Sequence, residues 1–391
     1  MDKNKQSGVS ARTMLLVTAA FWSAQYSYAQ FINPELTAMG ASAAVMGMVS
    51  GIYGLAQTLV RIPLGILADR KGHQKPFVVL GCLLAALPGI GMTVFKSPAS
   101  FVFFRGIAGL AAASWVSFTV LYASYYSHEE GPSRISHLNI PNMSGRFVSY
   151  LLVLLVIPRL GTRFAFIFSS LSGLLAVILS LTLHEEPHQP QGINLKAFLK
   201  VSKDPYLLAC TLLSILTQAI AFSTYFNFTI NVARNLGADN TQLTWVNISL
   251  LIPIIITTYL ITSGFLKKFS AVSLVGAGFL LTAAYCFLMA RVTSLPQLFV
   301  LQALAGSGNA LTFNVLLGQS VRDIKQEMRA VAMGLHQALY GVGMTIGPIL
   351  TGVLIDLHGI RTAFDAVAVL ALFAAALSLK LMRVKPGLIE E

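Results

Sequence analysis

Charge is what this chain has least of, and negative charge above all. Its 391 residues include 15 Asp and Glu against 27 Lys and Arg, 11% charged in total. A soluble domain carries about 25% charged residues, so there is too little polar surface here to hold the chain in water. Cysteine is sparser still, at three residues. Cys82, Cys210 and Cys286 each sit inside an apolar run without a CxxC spacing. That argues against a disulfide framework or a thiol metal site and leaves three small buried hydrophobes. The seven His residues fall mostly in loops, H-x-x-H does not occur, and the H-E-x-x-H string at His184–His188 lies in a hydrophilic, proline-containing stretch outside the apolar runs. An enzyme working at membrane depth needs clustered His and carboxylates or a nucleophile beside a base. The reading is therefore not an enzyme, with no cofactor and no metal. Gly-rich phosphate loops are missing too, which argues against ATP as the driving force.

What is present is apolar length. Hydrophobic residues make up 55% of the chain, and its mean hydropathy is +0.71. Runs long enough to span a bilayer occur at about 13–35, 45–67, 77–95, 99–124, 138–158, 163–183, 205–230, 241–263, 271–291, 296–319, 330–356 and 361–382. The start, Met1–Arg12 followed by an apolar run, has a superficial likeness to a signal peptide. Gln25, Tyr26, Tyr28 and Gln30 interrupt that run, and it is long enough to cross, so it is expected to be a retained first helix. The net charge of +12 does not point to nucleic acid, because the basic residues lie in short loops between apolar runs. Counted over alternate loops, eighteen Lys and Arg fall on one side and six on the other. The richer side is expected to face the cytoplasm, with both termini there. The expected location is the plasma (inner) membrane.

The longest hydrophilic stretch, about His184 to Asp204, contains Pro187, Pro190 and Gly192. It divides the chain into an expected six-helix lobe over residues 1–183, a cytoplasmic linker over 184–204 and a second six-helix lobe over 205–391. Leu195–Val201 is expected to form a short amphipathic surface helix. The halves look related: Arg134 opens the fifth run and Arg329 the eleventh, and Phe104–Gly109 parallels Leu301–Gly306. A weak internal repeat of this kind fits an ancient duplication.

The most specific stretch is the short charged loop between the second and third runs. Gly65, Asp69, Arg70, Gly72 and Lys75 fill the places of G-x-x-x-D-R-x-G-x-x-[KR]. The turn forces an antiparallel hairpin. Gly65 is expected to let two helices approach closely, and Gly72 to permit a backbone turn that a side chain would hinder. The loop resembles the signature between helices 2 and 3 of the major facilitator superfamily. The resemblance implies an all-α membrane protein of 12 transmembrane helices in two pseudo-symmetric six-helix lobes, and a solute transporter. It also implies that this loop serves conformational switching, with Asp69 a gating residue that pairs with Arg70, Arg134 or a neighbouring helix N-terminus. Arg105-x-x-x-Gly109 is similar to the superfamily's fourth-helix motif, whose Arg is associated with proton-linked transport. The Gly-Pro-rich fifth-span motif of drug:proton antiporters is missing. Gly341, Gly343, Gly347, Pro348 and Gly352 form a bendable, close-packing stretch in the eleventh run instead.

Arg61, Arg105 and Arg146 lie inside apolar runs, where a central charge costs roughly 2.5–3.5 kcal/mol. They are expected to face protein or water. Arg146 lies about 18 Å along the fifth helix from Arg134, near mid-membrane, among Asn139, Pro141, Asn142, Ser144 and Gly145. It reads as a ligand for an anionic or hydrogen-bonding solute, as part of proton coupling, or as a buried Arg held by carbonyls. Arg61 reads as structural. Glu35, Asp356 and Asp365 sit near outer span ends, and no acid falls near the midplane. Proton coupling would have to use Glu35, Asp69 or His336, with Arg105 tuning a nearby acid. For His336, packing is the competing reading.

Polar and aromatic residues gather in the runs expected to line a central cavity. Trp22, Gln25, Tyr26 and Gln30 lie in the first run, with Tyr53 and Gln57 in the second. Trp115 is in the fourth, Asn142 and Arg146 in the fifth, and Gln218 and Tyr225 in the seventh. Trp245 is in the eighth, Asn314 in the tenth, and Gln337 and Tyr340 in the eleventh. Aromatic faces with amide side chains suit amphipathic organic solutes. The expected function is a secondary active transporter moving a small organic solute by alternating access, in proton-coupled efflux. The alternative is proton-coupled uptake of an anionic or sugar-like metabolite, or else a non-transporting receptor of the same fold. Expected partners are the solute, protons and membrane lipid, with no nucleic acid, and the chain is expected to act as a monomer.

Overall fold

The computed structural model describes residues 3–126, 134–186, 201–325 and 328–383. Most of the expected linker, 187–200, lies outside them, and with it the expected surface helix apart from Val201. The described residues form helices and no strand. In order they are α1 (Lys3–Tyr26), α2 (Ile32–Ala38), α3 (Ala43–Lys71), α4 (Lys75–Val94), α5 (Pro98–Ala113), α6 (Trp115–Ala123), α7 (Asn139–Leu160) and α8 (Arg163–Leu181). There follow α9 (Pro205–Ser223), α10 (Thr229–Asn235), α11 (Asn240–Thr262), α12 (Ala271–Met289), α13 (Leu295–Asn309), α14 (Val315–Gln319) and α15 (Arg329–Leu381).

Among the described residues, ten helical segments are long and apolar enough to cross a membrane. Two features separate that number from the twelve runs of the sequence. α1 is not among the ten, and the runs at 330–356 and 361–382 are joined into α15. At Gly359, φ 82 and ψ 163 break the helical path inside α15, a left-handed value that glycine reaches without strain. The first run is also interrupted earlier than expected. α1 stops at Tyr26, and the chain passes through a 3-10 turn, Ala29–Phe31, before α2.

Sequence chemistry fixes several starts. Pro98 and Pro205 occupy first-turn positions where their missing N–H is not needed. Ser97 and Ser100 form a reciprocal capping box on α5, and Asp239 with Gln242 forms another on α11. Asp204 Oδ1 accepts from Leu207 N at 2.7 Å to cap α9.

The chain divides into two compact units. Unit 1 comprises residues 1–32 and 59–193. In it α1 packs on α7 and α8, and α4 on α5 and α8. Its core includes Met14, Val17, Phe21, Phe118, Leu121 and Tyr122, each 1% exposed or less. Unit 2 comprises residues 33–58 and 194–391. There α15 packs on α9 and α12, and α13 on α11 and α12. Helix α3 therefore gives its first half to unit 2 and its second half to unit 1.

Two runs that read as uninterrupted helices contain π-helical turns, Thr224–Phe228 after α9 and Ala310–Asn314 after α13. Such turns shift the side-chain register by one position and often occur at functional places. Both lie in unit 2, and the bond from Asn309 Nδ2 to the Tyr225 hydroxyl, 2.9 Å, joins the two places.

Candidate functional site

In unit 1 the chain gathers one face of α1 against α6 and α7. Ala19 and Ser23 of α1 meet Gly145 of α7. A Cβ on Gly145 would lie 2.2 Å from the Ala19 carbonyl oxygen, so glycine alone allows this approach. Ser23 Oγ donates to the Gly145 carbonyl at 2.9 Å. The next residue, Arg146, is thereby brought under Tyr26, its guanidinium carbon 3.9 Å from the ring centroid. Arg146 also hydrogen-bonds the side chain of Tyr150, one turn further along α7. Arg146 is 8% exposed, and the ring face together with a phenol makes such burial tolerable for a cation.

Trp22, one turn before Tyr26, stands 5.7 Å from it and 5.4 Å from Trp115 of α6. Asn142, one turn before Arg146, completes the face. Trp22 Nε1 and Asn142 Oδ1 are both shielded and have no hydrogen-bond partner among the described residues. Gln25 is also buried, but its Nε2 donates to the Ala108 carbonyl at 3.0 Å, so it ties α1 to α5. Gln30 is buried in the 3-10 turn after α1. Arg105 Nη1 donates to the Tyr28 hydroxyl at 3.2 Å. Gly109 is buried one turn further along α5. Arg61, on the second half of α3, reaches the Ala112 carbonyl with Nη2 at 3.5 Å, a weak contact by length.

The residues expected in unit 2 do not form one comparable face. Gln218 and Tyr225 are buried, with Tyr225 held by Asn309 and in edge contact with Tyr285 at 5.9 Å. Asn314 Nδ2 donates to Thr258 Oγ1 at 2.8 Å. His336 is fully buried, its Nδ1 2.9 Å from Thr211 Oγ1 and its ring 5.8 Å from Tyr340. Gln337 is half-buried beside it. Trp245 is 45% exposed on α11, and Glu35 is half-buried in the first turn of α2. A cleft of about 220 Å3 in unit 2 is lined by Pro34, Thr37, Ile230, Asn231, Arg234 and Asn235. It contains none of the residues expected to bind solute, and it is smaller than the roughly 300–1,000 Å3 of organic-ligand pockets.

The loop between α3 and α4 has a partner the sequence did not reveal. Glu185, just beyond α8, accepts from the backbone N–H of Gln74 and from that of Lys75 at 2.9 Å. Its Oε2 is 3.6 Å from His73 Nδ1. Lys75 Nζ donates to the Leu181 carbonyl at 2.8 Å, and Gln74 Nε2 donates to Asp69 Oδ1 at 2.9 Å. The carboxylate thus satisfies the free N–H groups at the start of α4 and meets its positive dipole. Asp69 carries the Gln74 amide, while the Arg134 guanidinium lies 5.1 Å from the Tyr126 ring centroid. Arg70 is exposed. Gly72 adopts φ 66, the left-handed turn its position required. Gly65 is a correction: a Cβ there would stand 3.6 Å from Val116 Cγ1, ordinary contact, so it mediates no close helix approach.

Other sequence signals were too generic to identify their partners. Tyr28, Tyr150 and Asn309 each hold an expected residue, yet a lone Tyr or Asn in an apolar run names no partner. Asn33 is the same case: its Nδ2 donates to Asn227 Oδ1 at 3.0 Å and to Asn231 Oδ1 at 2.7 Å, one amide meeting a neighbouring pair far along the sequence. In α15 the glycine-rich stretch does pack closely. A Cβ on Gly343 would meet the Ile215 carbonyl oxygen at 2.0 Å, and one on Gly347 the Ala219 carbonyl oxygen at 2.5 Å.

Comparison with known proteins adds to this geometry. The family model described as Major Facilitator Superfamily matches residues 13–231 and 211–391. An uncharacterized MFS-type transporter of Methanocaldococcus jannaschii is 22% identical over 360 residues, covering 87% of this chain and 89% of that protein. Multidrug resistance protein 1 of Bacillus subtilis is 21% identical over 330 residues, covering 81% and 82%. Among solved structures, a bacterial homolog of the human lysosomal transporter Spinster, in an inward-facing and unoccupied conformation, superposes with a TM-score of 0.81. It is 15% identical, with 97% of each chain covered, a likeness of fold.

Proposed function

We propose a specific transport function for this chain, which belongs to the major facilitator superfamily and is a membrane transporter. It moves a small organic solute by alternating access as a secondary active transporter, and the direction is proton-coupled efflux. The observation that carries the reading is the face built by Trp22, Tyr26, Trp115, Asn142 and Arg146. It combines large apolar rings with a buried cation and with polar atoms that have no partner within the described protein. Rings with a few convergent polar groups are what an amphipathic solute needs. Efflux is supported by the likeness to a protein named for multidrug resistance.

In this reading twelve helices cross the plasma membrane, both termini are cytoplasmic, and the chain acts as a monomer. The lobes of residues 1–183 and 205–391 are joined by the cytoplasmic linker 184–204. Gln25, Gln30, Gln218, Tyr225, Trp245, Asn314, Gln337 and Tyr340 complete the solute path. The loop of Gly65, Asp69, Arg70, Gly72 and Lys75 serves switching. Arg105 and Gly109, with Glu35, Asp69 or His336, serve proton coupling. The buried arginines favour a second reading, proton-coupled uptake of an anionic or sugar-like metabolite.

Reconstitution into liposomes under an imposed pH gradient separates the two. Efflux coupling drives solute against the inward proton flow, whereas uptake coupling drives it along that flow. Flux indifferent to the gradient would remove proton coupling from the account.

A further inference from the structure

We infer that the α1–α7 face of unit 1 recognises the acidic group of an organic anion whose body is planar and apolar. The inference deepens the transport reading and rests on it.

Arg146 is held by two tyrosines, Tyr26 and Tyr150. Tyr26 covers one face of its guanidinium at 3.9 Å. A guanidinium is planar and its N–H donors lie in the plane. Tyr150 meets one of those donors. A guanidinium is suited to a carboxylate, sulfonate or phosphate, each of which can accept two parallel N–H bonds from it. It has no acceptor to offer an ammonium group.

The second observation is independent of Arg146. One turn earlier on each helix, Trp22 Nε1–H and Asn142 Oδ1 are shielded and without a hydrogen-bond partner among the described residues. Leaving a buried donor or acceptor unmet is unfavourable, so such atoms point to a missing partner. The rings around them, Trp22 against Trp115 and Tyr26, offer apolar faces for a planar body beside the cation.

The third is the charge of the surroundings. Helices α1 and α4 to α8 contain no Asp or Glu in their sequences, while α5 and α7 contribute the buried Arg105 and Arg146. An organic cation would enter a region of its own sign without a carboxylate on any of these helices. An anion is attracted to it, and low polarity strengthens that preference.

The test uses the full chain in liposomes and three probes that share one body: naphthalene carboxylate, naphthalene carboxamide and naphthylmethylammonium. Binding is read by quenching of tryptophan fluorescence and transport by counterflow. The carboxylate should bind about tenfold or more tighter than the other two, a gap of about 1.4 kcal/mol. Arg146→Gln should abolish that preference, and Arg146→Lys, which keeps the charge but loses the fork, should retain part of it. Trp22→Phe should weaken all three probes while leaving the ranking intact. If Arg146→Gln does not fold, as judged by its elution and unfolding temperature in detergent, Arg146→Lys carries the test. Equal binding of ammonium and carboxylate, no binding of the carboxylate, or a preference that survives in Arg146→Gln or is undiminished in Arg146→Lys would overturn the inference. Selective carboxylate binding without counterflow would instead sink the transport reading and leave the recognition site standing. Counterflow of the ammonium probe alone would do the reverse.

Discussion

Replacing Gly47 by alanine perturbs a close backbone contact of α3 with α15 in unit 2. A Cβ at this position would lie 2.2 Å from the Pro348 carbonyl oxygen, 2.9 Å from its carbon and 3.2 Å from Ile349 Cα. All three are backbone atoms, so no side chain can swing aside. Gly51 and Gly54 continue the seam at helical spacing, with a Cβ 2.6 Å from the Thr345 carbonyl oxygen and 2.7 Å from Met344 Cβ. Restoring ordinary carbon contact requires the helices to part by about 1 Å, and overpacking of this kind costs about 1–3 kcal/mol. If the proposed alternating-access cycle opens this seat in one of its states, the contact exists only in the other. The same cost then lowers the docked population relative to the undocked one by roughly 5- to 150-fold. The assay is maleimide labelling of a cysteine placed at Ser50, which is 9% exposed in the seam. The native cysteines are buried and give a low background. Gly47→Ala should raise the labelling rate and lower flux. The control, Gly334→Ala, places its methyl where no atom lies within 4 Å and should change neither. Unchanged labelling and flux in Gly47→Ala would refute the claim that this seam opens during transport.

Three further outcomes follow from single contacts. Glu185→Gln keeps one acceptor but turns an amide donor toward the N–H groups of Gln74 and Lys75. It should cost about 0.5–2 kcal/mol and speed hydrogen exchange in the first turn of α4; unaltered exchange there would deny Glu185 its capping role. Asp356 accepts from Ala43 N at 2.9 Å and Ala44 N at 2.8 Å. Asp356→Asn should therefore loosen the start of α3 and, because it acts on the same seat, should combine non-additively with Gly47→Ala in the labelling assay. Gly72→Ala must hold φ near 66 with a side chain, a cost of about 1–2 kcal/mol, read as a lower unfolding temperature in detergent.

Much of the fold was legible because a bilayer demands long apolar runs and short charged turns. Gly72 was identifiable because a loop this tight between two helices leaves few backbone options. The buried arginines were identifiable because a charge inside an apolar run must be enclosed. Trp22 and Tyr26 of the first run and Arg146 of the fifth are each legible as cavity candidates, and the structure brings them together. What could not be read was any partnership set by tertiary packing. Glu185 looked like part of a polar linker, yet its carboxylate caps a helix more than one hundred residues earlier in sequence. Gly65 fitted a motif that suggests close packing, but its neighbour is an ordinary valine contact. The π turns at Thr224–Phe228 and Ala310–Asn314 leave no mark on composition, since one added residue per turn preserves the apolar run. The break at Ser114 between α5 and α6 is similarly silent.

Solute counterflow in proteoliposomes tests the central claim most directly. If the chain is an alternating-access transporter, uptake of labelled solute saturates with concentration and accelerates when unlabelled solute is loaded on the far side. Uptake that rises linearly, matches protein-free liposomes and ignores far-side solute would contradict it.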